Sequence, residues 1–292
     1  MTWLQLQTGW NLFFHAPESC SVLVLFRLTM GSLLTINALL LFPLITDFYA
    51  TDGTWNLRAW KLNQGKRRLC LLHFLPDTTA SFRLLLFVHL GSCLCFLAGW
   101  HYRISAVTVF LTLVSIHHRN ASILSSGDTL LRIMAFLMMF SEAGAAFSID
   151  AHLAGSVGFT ATAPWPTRVM QIVLSTVYLR TVFWKLRGGM WRNGTAAWYP
   201  LWVDTFLRNR PPHWMLKPTM IRIATWGTLI EETALGTLIW IEDIRVAVLT
   251  FGIAMHIVFD SIMNLQLFSW IMIASLLLFL PPEVTDNFFN WL

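Results

Sequence analysis

Hydrophobic residues run in long blocks along this chain, and the polar positions gather into loops between them. The blocks cover roughly residues 20–45, 82–100, 104–118, 129–148, 168–186, 221–241, 245–262 and 265–281. A helix needs about 20 apolar residues to cross a bilayer, and all but three blocks come near that length. The pattern predicts an all-α fold, a polytopic transmembrane helical bundle of about eight spans. Pro43, Pro76, Pro164, Pro166, Pro200, Pro218 and the Pro281-Pro282 pair fall at block ends or in loops, as helix punctuation should. Little more than Asn264 separates the last two blocks, which leaves a tight hairpin and one broken helix both open. Ahead of the first block, Trp3, Leu6, Trp10 and Phe13-Phe14 recur at helical spacing, with Gln5, Gln7 and Asn11 between them. Residues 1–19 therefore read as an interfacial helix at headgroup level, with a disordered tail as the competing reading. One transmembrane domain is expected over 1–292, with no separate soluble domain.

Composition agrees. Of 292 residues, 56% are hydrophobic and 12% charged, about half the charge of a soluble domain, and the mean hydropathy is +0.60. The net charge of +5 is spread through aromatic-rich loops, so it reports membrane topology and not a nucleic-acid groove. Two loops are long. Residues 46–81 carry Asp52-Gly53 and Lys66-Arg67-Arg68. Residues 187–220 mix Arg187, Arg192, Arg208, Arg210 and Lys217 with Trp191, Trp198, Trp202 and Trp214. With eight spans both loops lie on one side, and the excess of Lys and Arg there predicts that this side is cytoplasmic with both termini outside. The start lacks a basic region and a small-residue cleavage site, so the first span is expected to act as its own signal. Cys20, Cys70, Cys93 and Cys95 make no disulfide framework and read as inert thiols.

Ionisable residues inside the apolar blocks are the candidate chemistry. A charge at bilayer depth costs a few kcal/mol, roughly 2.5–3.5 on insertion scales, so such groups face a protein interior or a wet cavity. Lys185 sits where an apolar block gives way to a loop. Desolvated there it could act as a base, and a snorkelling lysine is the competing reading. Tyr178 lies two helical turns earlier, on the same face. Glu231 and Glu232 fall mid-block and need a partner, a proton or water, with Arg27 and Arg132 as partners by charge alone. His256 and Asp260 share a face four residues apart, able either to orient an imidazole or to staple two helices. Asp128 and Arg132 are spaced to pair at a helix start, close to His117, His118 and Asn120. Two adjacent histidines without carboxylates at ligand spacing do not make a metal site, and no metal is expected.

These residues, in order, resemble one family. The pieces are Phe13-Phe14-His15-Ala16-Pro17 before a helix with Arg27, then Arg119-Asn120 and Gly127-Asp128 with Arg132. They continue with Tyr178, Lys185-Leu186, Trp191 and Gly194, then Glu231, Arg245, His256 and the run Phe268–Ile273 closed by Pro281. Together they resemble the HTTM (horizontally transferred transmembrane domain) proteins, related to the membrane part of vitamin K-dependent gamma-carboxylase. The likeness spans almost the whole chain. That carboxylase uses reduced vitamin K, O2 and CO2 to carboxylate glutamate side chains, and the lysine matching Lys185 is proposed there to deprotonate the hydroquinone.

The resemblance implies a cavity for a reduced quinone or lipid-like molecule, with Lys185 as the catalytic base. Tyr178, His256 and Asp260 would line it, supported by Arg132, Asp128, Asn120, Glu231 and Arg27. The implied partners are the lipid bilayer and a peptide or protein substrate, and the implied place is a bacterial cell membrane, as a multi-pass protein. Where the carboxylase has an Asn-His pair, this chain has Gly144-Ala145. The sequence also ends soon after the last block, so the carboxylase's large lumenal domain is expected to be missing. The carboxylase works on the lumenal face, whereas the basic residues place the Lys185 loop in the cytoplasm. A non-catalytic partner in maturation, export or immunity of a secreted peptide, and a transporter, are the alternative functions. The transporter finds no inverted repeat to support it.

Overall fold

The computed structural model describes residues 2–50, 60, 69–76, 78–120, 124–156 and 158–291. Asp52-Gly53 and Lys66-Arg67-Arg68 lie outside the described residues. The described chain is almost wholly helical, and it divides into two compact units, Met1–Thr167 with Pro281–Leu292, and Arg168–Leu280.

The first unit opens on α1, Trp3–His15, which starts in a capping box between Thr2 and Gln5. Its Trp3, Leu4, Leu6, Trp10 and Leu12 are exposed, Trp3 to 79%. Residues 3–15 are thus an ordered helix and not a loose tail, with the exposed apolar side chains an interfacial helix needs. A two-residue strand, β1 (Glu18–Ser19), pairs antiparallel with β2 (Ala161–Thr162). Helix α2, Ser21–Leu41, runs on through a 3-10 turn at Phe42–Leu44 and a π turn at Ile45–Tyr49. Pro43 cannot donate a backbone hydrogen bond, which accounts for the break in the α pattern there. Helix α3, Thr79–Ala98, begins where the Thr78 hydroxyl accepts from the Ser81 N–H, and it stops at Gly99 (φ +65°). Helix α4, Tyr102–Arg119, starts under Asp150, whose carboxylate accepts the N–H groups of His101 and Tyr102, each at 2.8 Å. Helix α5, Ser126–Met138, and the short α6, Ile149–Leu153, follow.

Helices α2 to α5 pack in chain order. Between α2 and α3, Gly31 lets the backbone of Leu97 come so close that a Cβ would meet it at 3.0 Å. Tyr49 stacks on Phe82 with ring centroids 4.2 Å apart, at one end of a core that also holds Leu86, Ile116 and Trp60.

The block expected to form a span over 129–148 does not. Its helix ends at Met138, and thirteen residues at 1.5 Å each reach about 20 Å, short of the roughly 30 Å hydrocarbon core. The reason lies in Arg27, which is fully buried on α2. Its guanidinium donates to the carbonyls of Ala143 (2.8 Å), Ala146 (3.4 Å) and Phe147. In a continuous helix those oxygens would be taken by N–H groups four residues on. Unwinding after Met138 frees them for the buried cation. Tyr102 OH reinforces the bend by donating to Met138 O at 2.8 Å and lying 2.7 Å from Ser141 Oγ.

The second unit holds α7, Trp165–Arg187, which begins in the first; then α8, Gly189–Arg192; α9, Pro218–Gly236; α10, Glu242–Ile262; and α11, Phe268–Leu276, extended by a 3-10 turn at Leu277–Phe279. Helices α9, α10 and α11 pack in sequence, and the 3-10 turns of residues 196–202 lie on α9. The seat of α7 on α9 is very close at Gly236, where a Cβ would fall 2.6 Å from Leu179. The closing helix α12, Pro282–Trp291, belongs to the first unit. Its Thr285 Oγ1 is 2.6 Å from Ser21 Oγ at the start of α2, and Ser19 Oγ donates to Asp286 at 2.7 Å.

Among the described residues three helical segments are long and apolar enough to cross a membrane: Ser21–Tyr49, Thr79–Ala98 and Glu242–Ile262. A fourth joins them if Phe268–Phe279 and Pro282–Trp291 form one broken span. Eight were expected. Helix α5 is too short, and α4, α7 and α9 carry charged residues such as Arg103, Arg180, Lys185, Glu231 and Glu232 along their length.

Candidate functional site

The candidate site lies within the second unit, where α7, α9 and α10 face one another. Seven residues separate Tyr178 from Lys185, so the helix repeat sets both on one side of α7. Tyr178, 2% exposed, places its hydroxyl 2.9 Å from His256 Nε2 on α10. One end of α7 brings Lys185 Nζ to 2.5 Å from Glu232 Oε1 on α9. The same ammonium sits 4.6 Å from the centroid of the Trp191 ring on α8, within cation–π range. Lys185 therefore does not snorkel freely. An ion pair and an aromatic face both hold it.

Among the described residues, three polar atoms here are buried with no partner: Glu232 Oε2, Glu231 Oε1 and His256 Nδ1. Leaving such an atom unpaired costs roughly 1–3 kcal/mol, more for a charged group, so a donor or water that reached them would be bound with gain.

Beside Lys185 opens a cavity of about 400 Å³, within the range of small-molecule sites. Lys185 and Trp191 form one side of it. Pro200, Leu201, Trp214 and Met215 from the long loop form another, and Met220, Ile221, Ala224, Thr228, Phe259, Ile262 and Met263 from α9 and α10 complete it. The lining is almost wholly apolar, with the lysine amine as its one charged group. Tyr178, Glu232 and His256 stay outside the lining. His256 lies one helical turn from Phe259, and Glu232 one turn from Thr228, so the polar groups back the wall that the cavity shows.

A family model, the HTTM domain, matches residues 15–283. The chain belongs to the HTTM family. Membership and the apolar helices together indicate a membrane protein related to the membrane domain of the gamma-carboxylase. None of the solved structures matches this HTTM chain.

The structure redistributes the sequence-predicted residues of the HTTM chain. Lys185, Tyr178, His256 and Glu231 belong to the second unit, as does Asp260. The expected His256–Asp260 pair does not form: Asp260 takes Arg208 at 3.1 Å, while His256 faces Tyr178. Arg208 reaches Asp260 where the long loop returns to the end of α10. Of the adjacent glutamates, Glu232 takes Lys185 as its partner. Arg27, Asp128, Arg132 and Asn120 lie in the first unit. Arg27 is held by the three carbonyls already described. Asp128 caps its own helix, accepting from Ser125 N at 2.7 Å and Ser125 Oγ at 2.9 Å, and no Asp128–Arg132 ion pair occurs. Asn120 is buried at the end of α4.

The sequence resemblance sets Gly144-Ala145 against the Asn-His pair of the carboxylase. A Cβ at Gly144 would fall 2.6 Å from Tyr102 Cβ, so this HTTM chain leaves no room there for an asparagine side chain. The missed residues are Glu232 as the partner of Lys185, and the cavity walls Phe259, Met263 and Trp214. Glu232 stood out as a charge in an apolar run, but no local pattern joins residues 47 positions apart.

Proposed function

We propose that this HTTM-family protein is a polytopic membrane protein, with α7 among its spans, that binds a quinone or lipid-like molecule beside Lys185 and modifies a peptide or protein. The observation that carries the reading is a lysine held by a carboxylate at the wall of an otherwise apolar cavity. A ring or isoprenoid chain would be buried among Trp214, Met215, Met263, Phe259 and Ile262, with its oxygen end toward Lys185. The chain's own residues fit a reduced quinone: an aromatic and sulfur-rich wall suits a conjugated ring, and the single amine suits an oxygen. When bound, a reduced quinone supplies oxidisable hydroxyl groups. Lys185 would orient one of them and accept its proton, Trp191 would fix the amine over its ring face, and the long loop would exclude water. Full carboxylase chemistry is the narrower form of this reading, and the filled space at Gly144 counts against it.

The test is reconstitution with reduced vitamin K and labelled CO2, comparing the wild type with Lys185→Ala. Epoxide formation with incorporation in a glutamate peptide, lost in Lys185→Ala, supports the carboxylase form. Quinone binding without incorporation supports the broader one, and no binding removes both.

A second reading has its own observation. Trp198, Tyr199, Trp202, Phe206 and Trp214 are exposed together on the long loop, with Trp198 and Trp202 rings 5.1 Å apart. Such a surface suits a non-catalytic partner of a secreted peptide. Under that reading Trp198→Ala abolishes a complex while Lys185→Ala leaves it intact.

A further inference from the structure

Lys185 and Glu232 sit differently with respect to the cavity. The amine is part of the lining, and the carboxylate stands behind it, 2.5 Å from Nζ. The amine has two neighbours, the Glu232 carboxylate and the Trp191 ring. The carboxylate attracts a cation, and the Trp191 face does so as well, at 4.6 Å. An ammonium has no lone pair and cannot accept a proton until it has given one up. The atom within reach to take that proton is Glu232 Oε1.

The other ionisable groups of the unit are placed elsewhere. His256 on α10 is engaged with Tyr178 on α7, and Asp260 on α10 with Arg208 from the loop. Glu231 on α9 is next in sequence to Glu232, and no hydrogen bond or ion pair from it to Lys185 occurs among the described residues.

We infer that the proton acceptor of this site is the Lys185–Glu232 pair acting as a unit, with Glu232 the positioning residue that pairs with the ammonium at the cavity wall and takes one of its protons, so that the lysine nitrogen can take the proton of the ligand. The inference rests on the reading of Lys185 as the base of the site. The step balances. One N–H proton of Lys185 passes to Glu232 Oε1, and its electron pair stays on nitrogen. That lone pair then takes the proton of a hydroxyl seated in the cavity, whose O–H electrons remain on the oxygen. Lys185 ends as it began, an ammonium, now facing a negative oxygen, and the net change is one proton gained by Glu232. No oxidant or further reactant is consumed. The chemistry recognised is a hydroxyl acidic enough to give up its proton beside an ammonium, as in a phenol or quinol, and not an amine or an aliphatic alcohol.

The test reads the amine directly and needs no turnover. A small amine-reactive acylating reagent attacks only neutral amines, and peptide mapping by mass spectrometry separates Lys185 from Lys217. The full-length protein is labelled in detergent at pH 7.5, as wild type, Glu232→Gln and Glu232→Asp, with the rate at Lys217 as internal reference. The expected result is that Glu232→Gln labels Lys185 about tenfold faster than wild type, the size of effect a nearby opposite charge exerts. Glu232→Asp, which keeps the carboxylate, should stay within about threefold of wild type. A structural contact alone would raise the Asp and Gln rates together, because both shorten or weaken the packing. Equal labelling in wild type and Glu232→Gln overturns the inference, as does a parallel rise in both variants. If Glu232→Gln does not purify as a monodisperse protein, the wild type and Glu232→Asp are compared in water and in 2 M salt. Slow labelling that persists in both supports a buried pair, and acceleration of Lys185 to the Lys217 rate in salt overturns it. A parallel arm adds a soluble quinol analogue. Protection of Lys185 reports on the cavity ligand alone, so a failure there falls on the proposed function and leaves the pair standing.

Discussion

Arg27 is a buried cation whose hydrogen-bond acceptors are backbone carbonyls. Three carbonyls receive it, and the chain unwinds over residues 139–148 to supply them. Arg27→Ala should therefore lower stability by at least about 3 kcal/mol, since even one bond to a charged group is worth about 1.5–3 kcal/mol and the carbonyls would be left buried. Thermal unfolding in detergent checks this, and Arg27→Lys should recover only part of the loss because an ammonium cannot span the three oxygens as a planar fork does. Tyr178 makes a smaller claim. Tyr178→Phe removes the bond to His256 and should cost about 1 kcal/mol in the same measurement. It should leave the Lys185–Glu232 pair in place, so quinol protection of Lys185 should survive it.

At the scale of elements, α3 and α4 meet at a tight corner. Gly99 ends α3 with φ +65°, and a Cβ there would fall among Ser148 and the Arg27 guanidinium. Gly99→Ala is expected to cost at least about 1 kcal/mol from the left-handed backbone alone, and more from the collision, read as a lowered unfolding temperature. The helices themselves were legible in the sequence, because apolar blocks with proline or glycine at their ends dictate them. The end of α5 was not. Leu137 to Ile149 is mostly apolar, and what holds it open is Arg27, more than a hundred residues earlier, helped by Tyr102. The pairing of Asp128 was misread for a related reason. A capping box and an i,i+4 ion pair use the same carboxylate, and the helix start, with its unsatisfied N–H groups, is the stronger claim.

At the scale of the whole molecule, α7 is the test of topology. Its 23 residues are long enough to cross, yet it carries Arg168, Arg180, Lys185 and Arg187. If it spans, as proposed, His152 on the short α6 ahead of it and Trp198 in the loop after it lie on opposite faces of the membrane. Single cysteines at these two positions, in a chain whose native cysteines are replaced by serine, should react with a membrane-impermeant maleimide from opposite sides of vesicles. Labelling from the same side would remove that crossing.

The residue order alone determined that this chain is helical, greasy and built around a few expensive charges, because burial in lipid and helix geometry act locally and leave their mark in composition and period. It also placed Tyr178 and Lys185 on one helix face. Which charge meets which was decided only in three dimensions. Lys185 finds Glu232 and not an arginine-paired acid, Asp260 finds Arg208 and not His256, and a cavity opens where a loop folds back over two helices. Those choices depend on distances between segments far apart in the chain, and the long-range packing that sets them has no period to read.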